Sequence, residues 1–201
     1  MNAARDEILE RVRGARGGGT APAVARGYRR AGTLSARERV ELLSARLADY
    51  RAEVHRVTDR EIAAAVPPGR IAVPAGVPGA WRPAGAVEDH GLTAQELDAV
   101  DGVLTGCTVA IAETGTLVLA GGPSEGRRAL TLVPDVHVCV VRSEQVVETV
   151  AEAFDVLRGS ERRPLTFVSG PSATSDIELE RVEGVHGPRT LVVLIVEEEM
   201  R

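Results

Sequence analysis

Apolar residues change their spacing several times along the chain, and each change predicts a new element. Ile8, Leu9 and Val12 share one helical face behind Asn2, predicting a helix over residues 3–13 closed by Gly14. Gly17, Gly18, Gly19 and Pro22 then predict a flexible linker near residues 17–32. Ser35 and Glu38 form a capping-box pattern, and Val40, Leu43, Leu47, Tyr50 and Val54 recur at steps of three and four. That spacing predicts a helix reaching Val54, with its stripe packed on the protein's own sheet. Thr58 and Glu61 repeat the capping pattern before a short helix to Val66, which Pro67, Pro68 and Gly69 stop. A short strand over 70–73, a turn-rich loop over 74–85 and a third capping pair, Thr93 and Glu96, follow.

From Asp101 the chain is denser in apolar residues. Residues 109–112 and 116–120 read as two strands joined by the turn Glu113-Thr114-Gly115. Residues 137–142 read as another strand. Ser143 is placed to cap a helix whose face is Val147, Val150, Ala151, Phe154 and Leu157, closed by Gly159. Residues 165–168 and 190–196 are further strands, and the last is apolar on both faces, as in a sheet covered on both sides. The pattern predicts the α/β class: a mainly parallel sheet flanked by helices, preceded by an N-terminal helical segment. The expected division is residues 1–57 for that segment and 58–201 for the α/β domain.

With 201 residues the chain can bury one core well. Aromatic residues make up only 2%, so Val, Leu, Ile and Ala must build that core. Few rings are left for stacking bases, and the net charge of -5 does not suit a phosphate backbone, so no nucleic-acid partner is expected. No apolar run reaches the roughly 18–20 residues of a membrane span. The N-terminus lacks the pattern of a secretory signal, and Cys107 and Cys139 are isolated thiols. The expectation is a cytoplasmic protein. Without a C-x-x-C pair, this chain alone assembles neither a zinc ribbon nor a ferredoxin-like cluster, and no cofactor is expected.

Candidate chemistry concentrates in three places. Glu113 follows an apolar strand, where a partly desolvated carboxylate can act as general base or nucleophile; the alternative is a carboxylate that holds the turn. Thr114 and Gly115 complete that turn. The stretch Ser169, Gly170, Ser172, Thr174, Ser175 and Asp176 follows a strand directly, and its small residues and hydroxyls suit an anion nest for phosphate or carboxylate. Arg127 or Arg128 can clamp a carboxylate with a planar fork, or stand as a solvated charge on a flexible loop. His186 precedes the last strand and can line the same pocket. His137 reads as a satisfied structural histidine, with Asp135 on the same side of the strand as a possible partner. No metal site is expected.

Three segments, DGVLTGCTVAIAETGTLVLAGG (101–122), VSGPSATSDIE (168–178) and GVHGP (184–188), together resemble the LUD-domain family, and within it the lactate-utilisation protein C family. The resemblance implies a fold related to the sugar-phosphate isomerase and CoA-transferase superfamily. It also implies a part in a three-protein system oxidising L-lactate to pyruvate, whose other members are iron–sulfur proteins. This chain lacks the cysteine-rich extension of longer LUD relatives. The leading expectation is therefore a non-redox accessory subunit that binds those partners or a small carboxylate or phosphate ligand. A stand-alone CoA-transferase-like or phosphosugar-isomerase-like enzyme using Glu113 is the second, and a module acting through the Val40–Val54 face the third.

Overall fold

The computed structural model describes residues 3–16, 24–25, 27–160, 163–171 and 187–197. Helix α1 (Ala3–Arg16) is followed by α2 (Ala36–Asp49), whose N-terminus carries the expected capping box of Ser35 and Glu38. The helix stops five residues before Val54. Arg51 takes a left-handed conformation, φ 64°, while its amide donates to Ala48 O and that of Ala52 to Leu47 O. This is a Schellman termination built on an arginine instead of the usual glycine. The chain then extends at once into strand β1 (Glu53–Val57), and Val54 belongs to that strand.

A short α3 (Ile62–Ala65) leads to β2 (Ile71–Pro74), a 3-10 turn at Gly79–Trp81, β3 (Val87–Asp89) and α4 (Ala94–Asp98). Strand β4 (Gly102–Gly106), which the apolar spacing did not predict, precedes the expected hairpin of β5 (Val109–Ile111) and β6 (Thr116–Leu119). After a second 3-10 turn at Arg128–Thr131 come β7 (Val136–Arg142), a third such turn at Ser143–Gln145, and the two-residue β8 (Val146–Val147). Helix α5 (Val150–Val156) starts later than expected. Thr149 and Glu152 make its capping box, so Ser143 is not the cap. The shift buries Ala153 and Leu157 and leaves Val150 and Phe154 exposed. Strands β9 (Thr166–Val168) and β10 (Thr190–Val196) complete the described elements.

The strands form two sheets. Six run parallel in the order β1-β10-β7-β4-β2-β3, and four form a smaller, mostly antiparallel sheet, β8-β5-β6-β9. The α/β class and the mainly parallel sheet are as expected. One face of the large sheet (Cys139, Val141, Leu191, Val193, Ile195) packs against α2 and the small sheet, with Leu43 and Leu47 fully buried. Burying each of those leucines contributes on the order of 1.5–3 kcal/mol, so the α2 stripe is core and offers no free face to a partner. The other face packs under α3 and Trp81. Helix α5 covers the outer face of the small sheet.

Candidate functional site

The turn between β5 and β6 is shaped by its sequence. Gly115 has φ +60°, and a Cβ there would stand 2.7 Å from Arg46 Cβ, so the turn can lie against α2 only with glycine. The amides of Ala112 and Glu113 donate to the carbonyls of Val147 and Glu148, at 2.8 and 3.1 Å, carrying the β5–β8 pairing past the strand ends. Glu113 and Glu148 thus come side by side. Between them lies Arg29, which is ion-paired with Glu113 and donates to Glu148 Oε1 at 3.2 Å.

Glu148 is buried, and it also accepts the amides of Thr33 (2.5 Å) and Leu34 (2.7 Å). Glu152 accepts the amide of Gly32 at 3.0 Å. Burial works against ionising Glu152, yet amide donors from Gly32, Thr149 and Glu148 leave its carboxyl below the ordinary range. Residues 29–34, of which 29–32 were read from sequence as the end of a flexible linker, are therefore stapled across the small sheet by three carboxylates, Glu113, Glu148 and Glu152. Arg29 and Glu148 were missed as functional partners because they are 119 residues apart. Glu113 is not desolvated. Its side chain is 43% exposed and held by an arginine, which suits a charge that fixes the corner more than a free nucleophile.

Beside this corner the hydroxyls of Thr114, Thr116 and Ser169 form a chain, each link 2.8 Å. Gly170, at φ +87°, lets the β9 exit pass 2.7 Å from Tyr50 Cβ, measured from the Cβ a larger residue would need. Glu113, Thr114, Gly115, Ser169 and Gly170 are thus brought together, and Thr116 joins them. Ser172, Thr174, Ser175, Asp176 and His186 lie outside the described residues.

Arg127 does not join this corner. It lies at the other end of the antiparallel β6–β9 pair and forks onto Asp89 at 2.8 and 2.9 Å. The hydrogen bonds of that guanidinium hold the Asp89 carboxyl down to about 2. Asp89→Asn is expected to cost about 1 kcal/mol, since Arg127 is partly exposed and screened; chemical denaturation measures it. The loop carrying Arg127 is anchored by Glu125, which is buried and accepts Thr108 Oγ1 (2.5 Å), the Ala120 amide (2.7 Å) and the Gly122 amide (2.8 Å). The sequence suggested a flexible charged loop; a buried carboxylate pins it.

His137 is buried and bonds Thr105 Oγ1 at 2.8 Å, while Asp135 pairs with Arg189 instead. Burial, and secondarily the charge of Arg128, push the His137 pKa down to about 4, so the ring is neutral. The Cys107 thiol is pushed well up, by its hydrogen bond with Cys139 and by burial, which leaves it unreactive as a nucleophile. Among the described residues no cluster of three or more His, Cys, Asp or Glu is placed to hold a metal ion, and no helix is long and apolar enough to cross a membrane.

Fold and corners together define an α/β protein whose polar turns gather at the ends of two packed sheets. The chain belongs to the LUD-domain family, whose model matches residues 79–196. It is 47% identical to lactate utilization protein C of Deinococcus radiodurans over 81% of this chain and 82% of that one. Lactate utilization protein C of Bacillus subtilis is 30% identical over 46% of this chain and 41% of its own length. A crystal structure of a DUF162-family protein from Deinococcus radiodurans is similar in fold, with TM-score 0.72 and 40% identity over 82% of this chain and all of that one.

Proposed function

We propose that this chain is a non-redox accessory subunit of a cytoplasmic system that oxidises L-lactate to pyruvate, binding iron–sulfur partner proteins or a small organic anion. The observation that carries the reading is the similarity to the Deinococcus lactate utilization protein C along four fifths of both chains. The oxidation releases two electrons and two protons, which this chain's own residues are poorly suited to accept. Its two thiols are buried in the core and offer no ligand to a cluster at the surface. The corner of Glu113, Thr114 and Ser169, with Thr116 buried behind it, is the part of the surface best suited to a polar partner, since its hydroxyl chain is preformed.

The test is deletion of the gene in its host, with L-lactate as sole carbon source. The deletion strain is expected not to grow, and the wild-type gene to restore growth. Normal growth of the deletion strain overturns the reading. Glu113→Gln is expected to restore growth as well, because the role assigned to that carboxylate is to hold Arg29. If Glu113→Gln is folded and soluble yet fails to complement, the carboxylate has a chemical role, and an enzyme of the CoA-transferase-like or phosphosugar-isomerase-like kind using Glu113 takes precedence.

A further inference from the structure

At the end of the β6–β9 pair away from Glu113 lies a cleft of about 380 Å³, lined by Leu119, Gly121, Glu125 to Arg128, Thr131 and residues 164–166. Its loop sits over the carboxyl ends of β2 and β4, where the Gly76 amide donates to Pro123 O and that of Gly106 to Ser124 O. Open parallel sheets take their ligands at such ends. Gly126, at φ +67°, lies where a Cβ would stand 2.6 Å from Leu130 Cδ1 and 3.0 Å from Pro74 Cγ, so the loop packs closely on both.

The charges in the cleft are not equivalent. Arg127 is spent on Asp89, and the Glu125 carboxylate is occupied by three donors. Arg128 is different. Its Nη1 donates to Thr131 O at 2.8 Å and Thr131 Oγ1 at 2.9 Å, which fixes the guanidinium, and no ion pair among the described residues includes it. Its Nε and Nη2 keep the fork geometry that matches a carboxylate. Leu119, Pro164 and Leu165 supply apolar wall, and Thr166 a hydroxyl.

We propose that this cleft binds a short-chain monocarboxylate, with the carboxylate on Arg128 and the aliphatic chain along Leu119, Pro164 and Leu165. One fixed guanidinium against an apolar wall suits a single negative charge with a hydrocarbon tail. A phosphate dianion would need more donors than the cleft offers, and a nucleobase would need aromatic wall, which it lacks. The pathway reading bears only on the biological source of such an acid; binding is measured without it, so either idea can fail alone.

The experiment titrates the full-length, isotope-labelled chain with acetate, propionate and butyrate, with inorganic phosphate and butylamine as comparisons, following backbone amide resonances. Saturable shifts are expected at Gly121, Gly126 and Leu165, with affinity rising about fourfold per methylene from acetate to butyrate. Arg128→Gln is expected to weaken butyrate by roughly tenfold or more. Should that variant fail to fold, Thr166→Asp, which sets a second negative charge at the site, is expected to weaken butyrate to a similar degree while leaving Arg128 in place. No saturable shift at these amides overturns the proposal, as does phosphate or butylamine binding as tightly as butyrate. Wild-type butyrate affinity in Arg128→Gln, or in Thr166→Asp where that variant decides, overturns it too.

Discussion

Glu125→Ala is expected to lower the free energy of unfolding by about 3–5 kcal/mol, read as a fall in the urea midpoint. The carboxylate is buried and receives three donors, two of them backbone amides of the turn that leaves β6. Alanine would leave the amides of Ala120 and Gly122 facing a void, and an unsatisfied buried donor costs about 1–3 kcal/mol. Glu125→Gln is expected to cost less, about 1–2 kcal/mol. One oxygen can still take the two amides, and the Thr108 hydroxyl can turn round to accept from the new NH2 group. A loss below about 1 kcal/mol for the alanine variant would mean that water replaces the carboxylate and that the loop is not pinned.

Acidification from pH 7 to pH 5 is expected to cost about 2 kcal/mol through His137 alone. In the folded protein this ring takes a proton only near pH 4, because burial disfavours the charged form and Arg128 adds to the penalty. In the unfolded chain it does so near the ordinary value of 6.5. Above that value neither state holds the proton, and the full stability is present. As the pH falls from 6.5 toward 4 the unfolded state gains a proton the folded state refuses, and stability is lost. The carboxylates with lowered values act further down; Asp89, held near 2, gives up its contribution only below about pH 4. Urea unfolding at pH 7 and pH 5 measures the difference, and His137→Gln is expected to flatten it. A wild-type stability that does not change between those pH values would place the ring in contact with water.

Much of the fold was legible where local pattern and burial agree. The residues of β10 are apolar on both faces because the strand lies inside a sheet covered on both sides, and they read that way. The β5–β6 hairpin was marked by its Glu-Thr-Gly turn. The errors fall where a local signal was absent or duplicated. Nothing in Arg51 announces a helix end, because an arginine bears the left-handed conformation that glycine usually takes. Val54 then fitted the helical spacing by coincidence. Ser143 was read as the cap, but a second cap stands six residues on, where Thr149 pairs with Glu152 and Ala153 and Leu157 pack on the small sheet. Strand β3 is three residues long, too short for any periodicity.

The candidate site was legible as residues but not as pairs. Glu113 and the Ser169-Gly170 turn were visible because small and polar residues follow apolar strands. Arg29 was not, since its partners are 84 and 119 residues distant. Glu125 read as one charge of a flexible loop, and nothing in the sequence singled out Glu148. A buried carboxylate differs from an exposed one only through the donors that converge on it, and those come from the fold.

The position of β10 also sets the order in which the molecule can be made. It lies between β1 and β7 in the large sheet, yet it is synthesised after both. While the chain is growing, β1 has no hydrogen-bonded neighbour, and β7 shows an open apolar edge on the side that β10 will fill. Parallel pairing across such a distance in sequence is slow, and an unpaired edge invites pairing with other chains. The nascent protein therefore carries a hazard of self-association until residues 190–196 emerge, and the last of the described strands to be laid down is the one that closes the sheet.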